Sequence, residues 1–203
     1  MNSPARRATR DDLPRIASTL GAAFSDYAWT RWTVSEDDHE ARVAELQQLW
    51  VEHVALPHGT VWVDDEVTAV AAFLPPTLPD QPDAVRERIV ALQGPQGRER
   101  QAVASAAVEA RTVELVPEDT RAVCDEAWTL ATVGVHPDHR RAGLGSAVVD
   151  AGLAHLEELA ASCTLETSDE RNVHFYERLG FAMTTVVELP APAPTVWSML
   201  RAC

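Results

Sequence analysis

The sequence predicts an α/β fold built on a mixed β-sheet, and three observations carry this prediction. Short apolar runs alternate with longer stretches whose apolar residues recur at helical spacing. The succession Ala127–Val135, Leu144–Ala161 and Thr164–Ser168 reads as strand, helix and strand, with the length of a right-handed parallel crossover. Two further apolar runs, Phe181–Leu189 and Thr195–Arg201, flank a proline-rich turn and predict a terminal antiparallel pair.

The N-terminal part predicts two helices followed by a hairpin. Arg7–Arg10 is typical of a short strand, and Asp11 and Asp12 then begin a helix over Leu13–Phe24. A second helix opens at the acidic Ser35–Asp38 run and ends at Pro57-His58-Gly59. The next two apolar runs predict hairpin strands across Asp65-Glu66, over Thr60–Asp64 and Val67–Leu74.

The middle of the chain predicts a loop and two helices, and a short helix follows the parallel pair. Four prolines exclude regular structure from Pro75–Pro82. Helical spacing resumes over Asp83–Leu92 and Arg98–Leu115, with a break at Gly94–Gly97. The short helix is predicted over Arg171–Leu179 and is closed by a glycine at its C-terminal cap.

Composition limits the class of partner. The 203 residues suit one domain, predicted to span the whole chain, and the formal net charge of −14 argues against nucleic acid or an anionic membrane as a partner. Three scattered cysteines suit a reducing cytoplasm, and Met1–Arg10 lacks the apolar core of a signal peptide. These features favour a cytoplasmic protein without a nucleic-acid or membrane partner, and composition is compatible with a monomer or a homodimer.

A basic glycine turn lies between the central strand and the crossover helix. Gly143 and Gly145 allow close approach of a ligand to the backbone, and the first N–H groups of the helix lack internal acceptors. Arg140 and Arg141 add two positive charges, so the turn predicts a pyrophosphate site that extends to Ser146. The alternative is an ordinary strand-to-helix turn with solvated arginines.

Two segments resemble signatures of the GCN5-related N-acetyltransferase (GNAT) family. Arg140-Arg141-Ala142-Gly143-Leu144-Gly145 is similar to the acetyl-CoA signature Arg/Gln-x-x-Gly-x-Gly/Ala, and Asn172 through Phe181 is similar to the second signature. The resemblance implies a GNAT fold in which a splayed parallel strand pair holds acetyl-CoA. It also implies that the backbone of Val133 and Val135 pairs with the pantetheine arm of the cofactor.

The resemblance implies transfer of the acetyl group to a primary amine by direct attack. Asn172 and Tyr176 lie four residues apart, so they share a helix face, which we expect to point at the cofactor cleft while Phe175 and Leu179 are buried. The family assigns the matching tyrosine, here Tyr176, the role of general acid. The alternative is a tyrosine that only packs and hydrogen-bonds at the helix edge.

The connector Ser25–Thr33 carries three aromatic residues, Tyr27, Trp29 and Trp32. Such a segment either fills the core or lines a ligand pocket. The family places the corresponding segment beside the acceptor, so we expect these residues to bind the acceptor and Tyr27 to help position its amine or relay its proton. The alternative for Tyr27 is a half-buried loop aromatic. The wider chain resembles the members of the family that acetylate aminonucleoside antibiotics such as puromycin.

Glu166 is the candidate general base, because it lies in an apolar strand where burial would raise the pKa of its carboxyl. The alternative is an ion pair with a nearby arginine. No metal site is predicted, since the pair His136 and His139 lacks a third ligand at short spacing. Two further functions stay open, namely acetylation of protein N-termini or lysines and a non-catalytic acyl-CoA-binding sensor.

Overall fold

The computed structural model describes residues 5–203. Its strands follow the chain order that the sequence predicts, and most of its helices do. The strands are β1 (Arg6–Arg7), β2 (Thr60–Val63), β3 (Ala69–Leu74), β4 (Trp128–Val135), β5 (Cys163–Thr167), β6 (Ala182–Val187) and β7 (Val196–Arg201). The helices are α1 (Leu13–Phe24), α2 (Ala28–Thr33), α3 (His39–Trp50), α4 (Leu56–His58), α5 (Asp83–Leu115), α6 (Glu118–Asp125), α7 (Leu144–Glu158) and α8 (Glu170–Glu177).

The seven strands form one mixed sheet in the order β1-β2-β3-β4-β5-β7-β6. Neighbouring strands are antiparallel except for β4 and β5, which run parallel and are joined by the crossover helix α7. This parallel pair is short, because only Trp128 with Cys163 and Thr129 with Thr164 are in register. Beyond those two pairs β4 and β5 separate, and a gap opens in the middle of the sheet. The predicted GNAT fold is thereby confirmed.

A β-bulge lies in β4 where the two strands separate. Phe73 of β3 pairs with Leu130 and Ala72 pairs with Thr132, so Ala131 is the extra residue. Residues that pair directly across a ladder share a face of the sheet, which places Thr132 on the face of Ala72. Without the bulge, Thr132 would point to the opposite face, so one inserted residue decides which groups of β4 meet which helices.

Helices cover both faces of the sheet. On one face α7 and α8 pack against an apolar cluster that includes Phe73, Leu165 and Met199. On the other face α1 and the π-helical segment Val51–Ala55, which continues α3, pack against a second cluster that includes Ile16, Val54 and Ala72. All six residues of β3 are buried, because both of its faces are covered. Within residues 5–203 we find no helix with the length and apolarity of a membrane span.

Several elements differ from the sequence-based prediction. The first strand is Arg6–Arg7 rather than Arg7–Arg10, because Arg10–Asp12 forms a 3₁₀ turn that leads into α1. The connector Ser25–Thr33, predicted as irregular, contains the helix α2. The helix α6 was not predicted at all. The predicted break at Gly94 is confirmed by its non-helical φ of 75°, but Pro95 immediately restarts the helix, so both halves form α5.

The crossover helix lies directly on the sheet at Gly152. A Cβ at this position would meet Cε2 of Phe73 at 2.0 Å. Phe73 is fully buried between the helix and the sheet, so it has no space into which it could move. Glycine is therefore required at position 152 by the close approach of α7 to β3.

We predict that Gly152→Ala destabilises the protein. Helix propensity alone would favour alanine by up to about 1 kcal/mol, whereas the forced overlap with Phe73 costs about 1–3 kcal/mol. Urea unfolding should therefore show a net loss of stability. The control is Ala154→Gly on the exposed side of the same helix, which should lose only the propensity difference. A stabilised Gly152→Ala variant would contradict the close packing of α7 on β3.

Candidate active site

A cavity of about 1440 Å³ opens where β4 and β5 separate. It is larger than the ~300–1,000 Å³ of an ordinary small-ligand pocket, so it has room for two ligands. Its walls are formed by α1, α2, α3, the middle of α5, the separated parts of β4 and β5, α8, and the start of α7. The predicted site residues that line it are Tyr27, Trp29, Val133, Val135, Arg140, Arg141, Gly143, Gly145, Ser146, Glu166, Asn172 and Tyr176.

The edge of β4 that faces the gap presents free backbone groups. His136 N–H donates to Thr68 O at 2.8 Å, on the side of the neighbouring strand β3. Backbone groups alternate between the two edges along a strand, so those of Gly134 also point toward β3. The N–H and C=O groups of Val133 and Val135 therefore point into the gap, where β5 no longer pairs with them. An extended ligand can hydrogen-bond to this edge as another strand would.

The start of α7 forms a positively charged end of the cavity. Gly143 is the N-cap residue with a φ of 77°, and no side chain caps the helix. The first N–H groups of α7 consequently remain free to bind an anion. Arg141 is exposed beside them with a φ of 70°, and Arg140 Nη2 donates to Ala23 O at 3.4 Å. This set of donors fits a pyrophosphate.

Tyr176 lies on the opposite wall, inside the apolar cluster under α8. Its ring makes edge contacts with Phe175 and Phe181, and only 8% of the residue is exposed. Within residues 5–203 no group hydrogen-bonds its hydroxyl, although the residue borders the cavity. Burial, with a smaller effect of Tyr27, raises the pKa of the Tyr176 phenol above its ordinary value. The hydroxyl is therefore protonated at neutral pH and free to donate a hydrogen bond.

The orientation of α8 differs from the sequence-based prediction. We expected Phe175 and Leu179 to be buried, but the helix buries Val173 and Tyr176 and leaves Phe175 and Leu179 half-buried. The reason is that Tyr176 packs against Phe181, which follows the turn at Gly180. Tyr176 is thus at once a core residue and a cavity residue.

Tyr27 links the segment between α1 and α2 to the end of β5. Its hydroxyl accepts a hydrogen bond from Ser168 N–H at 2.6 Å and lies 3.2 Å from Thr167 Oγ1. Thr167 Oγ1 in turn accepts from Asn172 Nδ2 at 3.2 Å. The Tyr27 ring packs edge-on against Phe24. These contacts join α1, β5 and α8 at the mouth of the cavity, so Tyr27 holds the walls together.

The two indoles of the connector have different positions. Trp29 lines the cavity, whereas Trp32 lies outside the lining and packs edge-to-face against Trp29 at a centroid distance of 5.5 Å. The carbonyl of Trp32 accepts a hydrogen bond from Arg100 Nη1 at 2.7 Å, which fastens α2 to α5. Trp32 therefore supports Trp29 from behind rather than facing a ligand.

Glu166 faces the cavity from β5. Its carboxylate is accessible at the cavity wall and surrounded by protein, and this desolvation raises the pKa of the carboxyl. The hydroxyl of Ser198, directly opposite on β7, partly opposes the rise. Within the described chain Glu166 forms no ion pair with an arginine, and no group of three side chains could hold a metal ion. The structure thus disfavours the ion-pair interpretation.

Sequence reasoning missed two polar residues of the cavity wall, Gln47 and Thr132. Gln47 falls on the buried face of α3, four residues after Val43, and a polar residue within such an apolar stripe was an available signal. Thr132 gave no signal, because only the bulge at Ala131 turns its side chain toward α1 and α3.

Comparison with known proteins agrees with this geometry. The model of the acetyltransferase (GNAT) family matches residues 22–181. A mycothiol acetyltransferase of Cellulomonas flavigena is 29% identical, with 75% of this chain and 51% of that protein covered. A mycothiol acetyltransferase of Propionibacterium freudenreichii subsp. shermanii is 42% identical, with 30% of this chain and 20% of that protein covered. The chain thus spans at most about half the length of these curated relatives.

Two solved structures show the same fold at low identity. One from Corynebacterium glutamicum, described as histone acetyltransferase HPA2 and related acetyltransferase, has a TM-score of 0.71 at 22% identity and covers 100% of this chain and 97% of its own. Mosquito arylalkylamine N-acetyltransferase like 5b has a TM-score of 0.62 at 15% identity and covers 98% and 99%. The similarity extends over nearly the whole chain in both cases.

We predict that Tyr27→Phe lowers the free energy of unfolding by about 1–3 kcal/mol. The substitution keeps the ring but leaves the Ser168 N–H without its acceptor. Chemical denaturation measures the loss. Thr77→Val, which removes an exposed hydroxyl that bonds no other described residue, is the control and should change stability by less than about 0.5 kcal/mol. Equal stability of Tyr27→Phe and the wild type would show that Tyr27 does not hold the walls together.

Proposed function

The chain belongs to the GNAT family of acetyltransferases, and on that premise we propose that it transfers an acetyl group from acetyl-CoA to the primary amine of a small molecule by direct attack. One observation carries the proposal. Among residues 5–203, one cavity joins a free strand edge, a basic helix start that no side chain caps and a tyrosine hydroxyl that no other group hydrogen-bonds. Acetyl-CoA supplies an activated acyl group, and these three features fit its pantetheine amides, its pyrophosphate and its thiol, respectively.

The cofactor would be held mainly by backbone groups. The first N–H groups of α7, from Gly143 to Ser146, together with Arg140 and Arg141, would bind the pyrophosphate. The free groups of Val133 and Val135 would pair with the amides of the pantetheine arm. Asn172 keeps α8 against the end of β5 through Thr167, which fixes the distance between α8 and the strand edge.

Tyr176 is proposed as the general acid and Glu166 as the general base. A phenol protonated at neutral pH can pass its proton to the departing sulfur as the C–S bond breaks, and burial, which raises its pKa, makes it a weaker acid than an exposed phenol. A carboxylate at the cavity wall whose pKa is raised by desolvation can accept a proton from the attacking amine, directly or through water. Tyr27 would position the acceptor by fixing the mouth of the cavity, with Trp29 beside it and Trp32 behind Trp29.

The wall that α5 adds on the acceptor side favours a small acceptor over a protein. The helix α5 covers the acceptor side, and α2 is fastened to it through Arg100. A lysine or an N-terminus of a protein would need an open groove. The free hydroxyl of Tyr176 is unexplained in a sensor without turnover. Two acceptors are proposed: an aminonucleoside such as puromycin, from the resemblance, and the acceptor of the mycothiol acetyltransferases, from the relatives.

The experiment that tests the proposal is release of free thiol from acetyl-CoA by the purified chain over a panel of aminonucleosides, amino sugars and peptides. Amine-dependent release with at least one small amine supports the proposal. Release with peptides alone would favour a protein acetyltransferase. Tight binding of acetyl-CoA without release over the whole panel would favour a sensor.

We predict that Tyr176→Phe lowers kcat by about 10²–10⁴-fold, the range of general-acid catalysis. The affinity for acetyl-CoA, measured by calorimetry, should stay within about twofold, because the backbone groups and arginines that bind it are unchanged. Tyr27→Phe removes the other phenol hydroxyl of the cavity and should reduce kcat by less than about tenfold. Full activity of Tyr176→Phe between pH 6 and 9 would exclude the general-acid role.

We predict opposite effects of Glu166→Gln on activity and on stability. A carboxyl with a raised pKa in the folded state stabilises the fold when protonated, and that stabilisation is lost as pH rises through the folded pKa. Glutamine avoids this loss, so the variant should be more stable than the wild type at pH 7 and not at pH 3. Its kcat/KM should fall by about 10²-fold or more.

The apparent pKa of the acid limb in the wild-type pH–rate profile should lie above the ordinary range for a glutamate carboxyl. This limb should be absent in Glu166→Gln. Glu99→Gln, at an exposed position of α5, is the control and should leave rate, stability and profile unchanged. An acid limb that persists in Glu166→Gln would assign the base to another group.

A further inference from the structure

Gln47 contributes a buried amide without a partner to the acceptor side of the cavity. The residue is only 9% exposed and lines the cavity from α3. Within residues 5–203 its side chain makes no hydrogen bond. Its neighbour Gln48, by contrast, is exposed on the outer side of the same helix. The amide of Gln47 is not among the side-chain groups of the described chain that are completely buried without a partner, so it reaches the cavity and is available to a ligand.

Thr132 presents a second such group from β4. It is 8% exposed, lines the same cavity, and its hydroxyl makes no hydrogen bond among the described residues. The bulge at Ala131 places Thr132 on the sheet face that α1 and α3 cover. Glu166 shares this face, because Thr129 pairs with Thr164 and Glu166 lies two residues further along β5. The bulge thus brings Thr132, Gln47 and Glu166 to the same side of the sheet.

The hydrogen-bonding chemistry of Gln47 and Thr132 discriminates between classes of acceptor amine. The amide of Gln47 and the hydroxyl of Thr132 can each donate and accept hydrogen bonds. A hydroxyl group of a ligand can also do both, so it can pair with either residue. A hydrocarbon amine would displace water from both groups without replacing its hydrogen bonds, so it should bind more weakly than a hydroxylated amine.

A diamine would need a counter-ion for its second charge besides Glu166, the proposed base. Of the other carboxylates of the wall, Asp26 and Asp169 pair with arginines. The remaining two, Glu109 and Glu170, are exposed to solvent.

The apolar part of the wall fits a ring. Trp29 and Trp50 border the cavity beside the two polar groups. Indole faces pack against the C–H face of a sugar or against a planar base, while the polar groups bind the ring substituents. A hydroxylated ring therefore satisfies both kinds of wall.

We propose that Gln47 and Thr132 are specificity-determining residues that bind hydroxyl groups of the acceptor, and that the acceptor is a primary amine on a hydroxylated ring. Amino sugars and aminonucleosides share this chemistry. The inference rests on the proposed function for the reaction, but it concerns recognition of the acceptor and can be tested by binding alone.

The test is calorimetric binding of four amines to the full chain saturated with CoA. The hydroxylated probes are 2-amino-2-deoxyglucose, which represents the amino sugars, and 3′-amino-3′-deoxyadenosine, which represents the aminonucleosides. The two comparison amines are cyclohexylamine, a ring without hydroxyl groups, and 1,5-diaminopentane, which has a second positive charge in place of hydroxyl groups. At least one hydroxylated probe should bind about tenfold or more tightly than both other amines. Parity, or preference for the diamine, would overturn the proposal.

Two near-isosteric variants assign the effect to the pair. Gln47→Leu and Thr132→Val should each reduce the preference for the hydroxylated probe by about tenfold. Both variants should stay folded, because neither polar side chain hydrogen-bonds another described residue. Gln48→Leu is the matched control and should keep the full preference. An unchanged preference in both Gln47→Leu and Thr132→Val would contradict the assignment.

Thiol release with the same four amines separates this inference from the proposed function. Preferential binding of a hydroxylated amine without thiol release would refute the transferase and leave the recognition pair in place. Thiol release without any preference for hydroxylated amines would support the transferase and refute the pair.

Discussion

The separation of β4 from β5 is the constraint on which the rest of the structure depends. A parallel pair that remained in register along its length would satisfy its own backbone groups and close the sheet. Here pairing ends after Thr129 and Thr164, and the free edge of β4 becomes the wall of a large cavity. Buried backbone groups need partners, so the fold presents a strand edge that only solvent or an extended ligand can complete.

Three neighbouring features adapt the structure to this gap. The bulge at Ala131 reverses the face of the sheet to which the following side chains of β4 point. It lies close to the place where pairing with β5 ends. Tyr27 spans the mouth and bonds to Ser168, which limits how far the walls can move apart. The glycine turn before α7 places free N–H groups and two arginines at one end of the same edge. The positive end and the carboxylate of Glu166 thus lie in one cavity, with the hydroxyl of Tyr176 on another wall.

Much of this arrangement could be predicted from the sequence, and what could not has identifiable causes. The acidic start and apolar stripe of α1 predicted both of its bounds, and the crossover unit predicted the parallel pair, because these signals are local. The bulge, the short helix α2 and the burial of Tyr176 depend on contacts between distant segments. Tyr176 is buried through Phe181, and Thr132 reaches the acceptor side only through the pairing of β4 with β3. Local periodicity carries no information about either contact.

The most direct test of the account is a crystal structure of the full chain with CoA. The account predicts the pantetheine arm along the free edge at Val133 and Val135, the pyrophosphate at the first N–H groups of α7, and the sulfur within hydrogen-bond reach of the Tyr176 hydroxyl. A complex in which β5 closes onto β4, or in which CoA lies elsewhere with its sulfur remote from Tyr176, would contradict it.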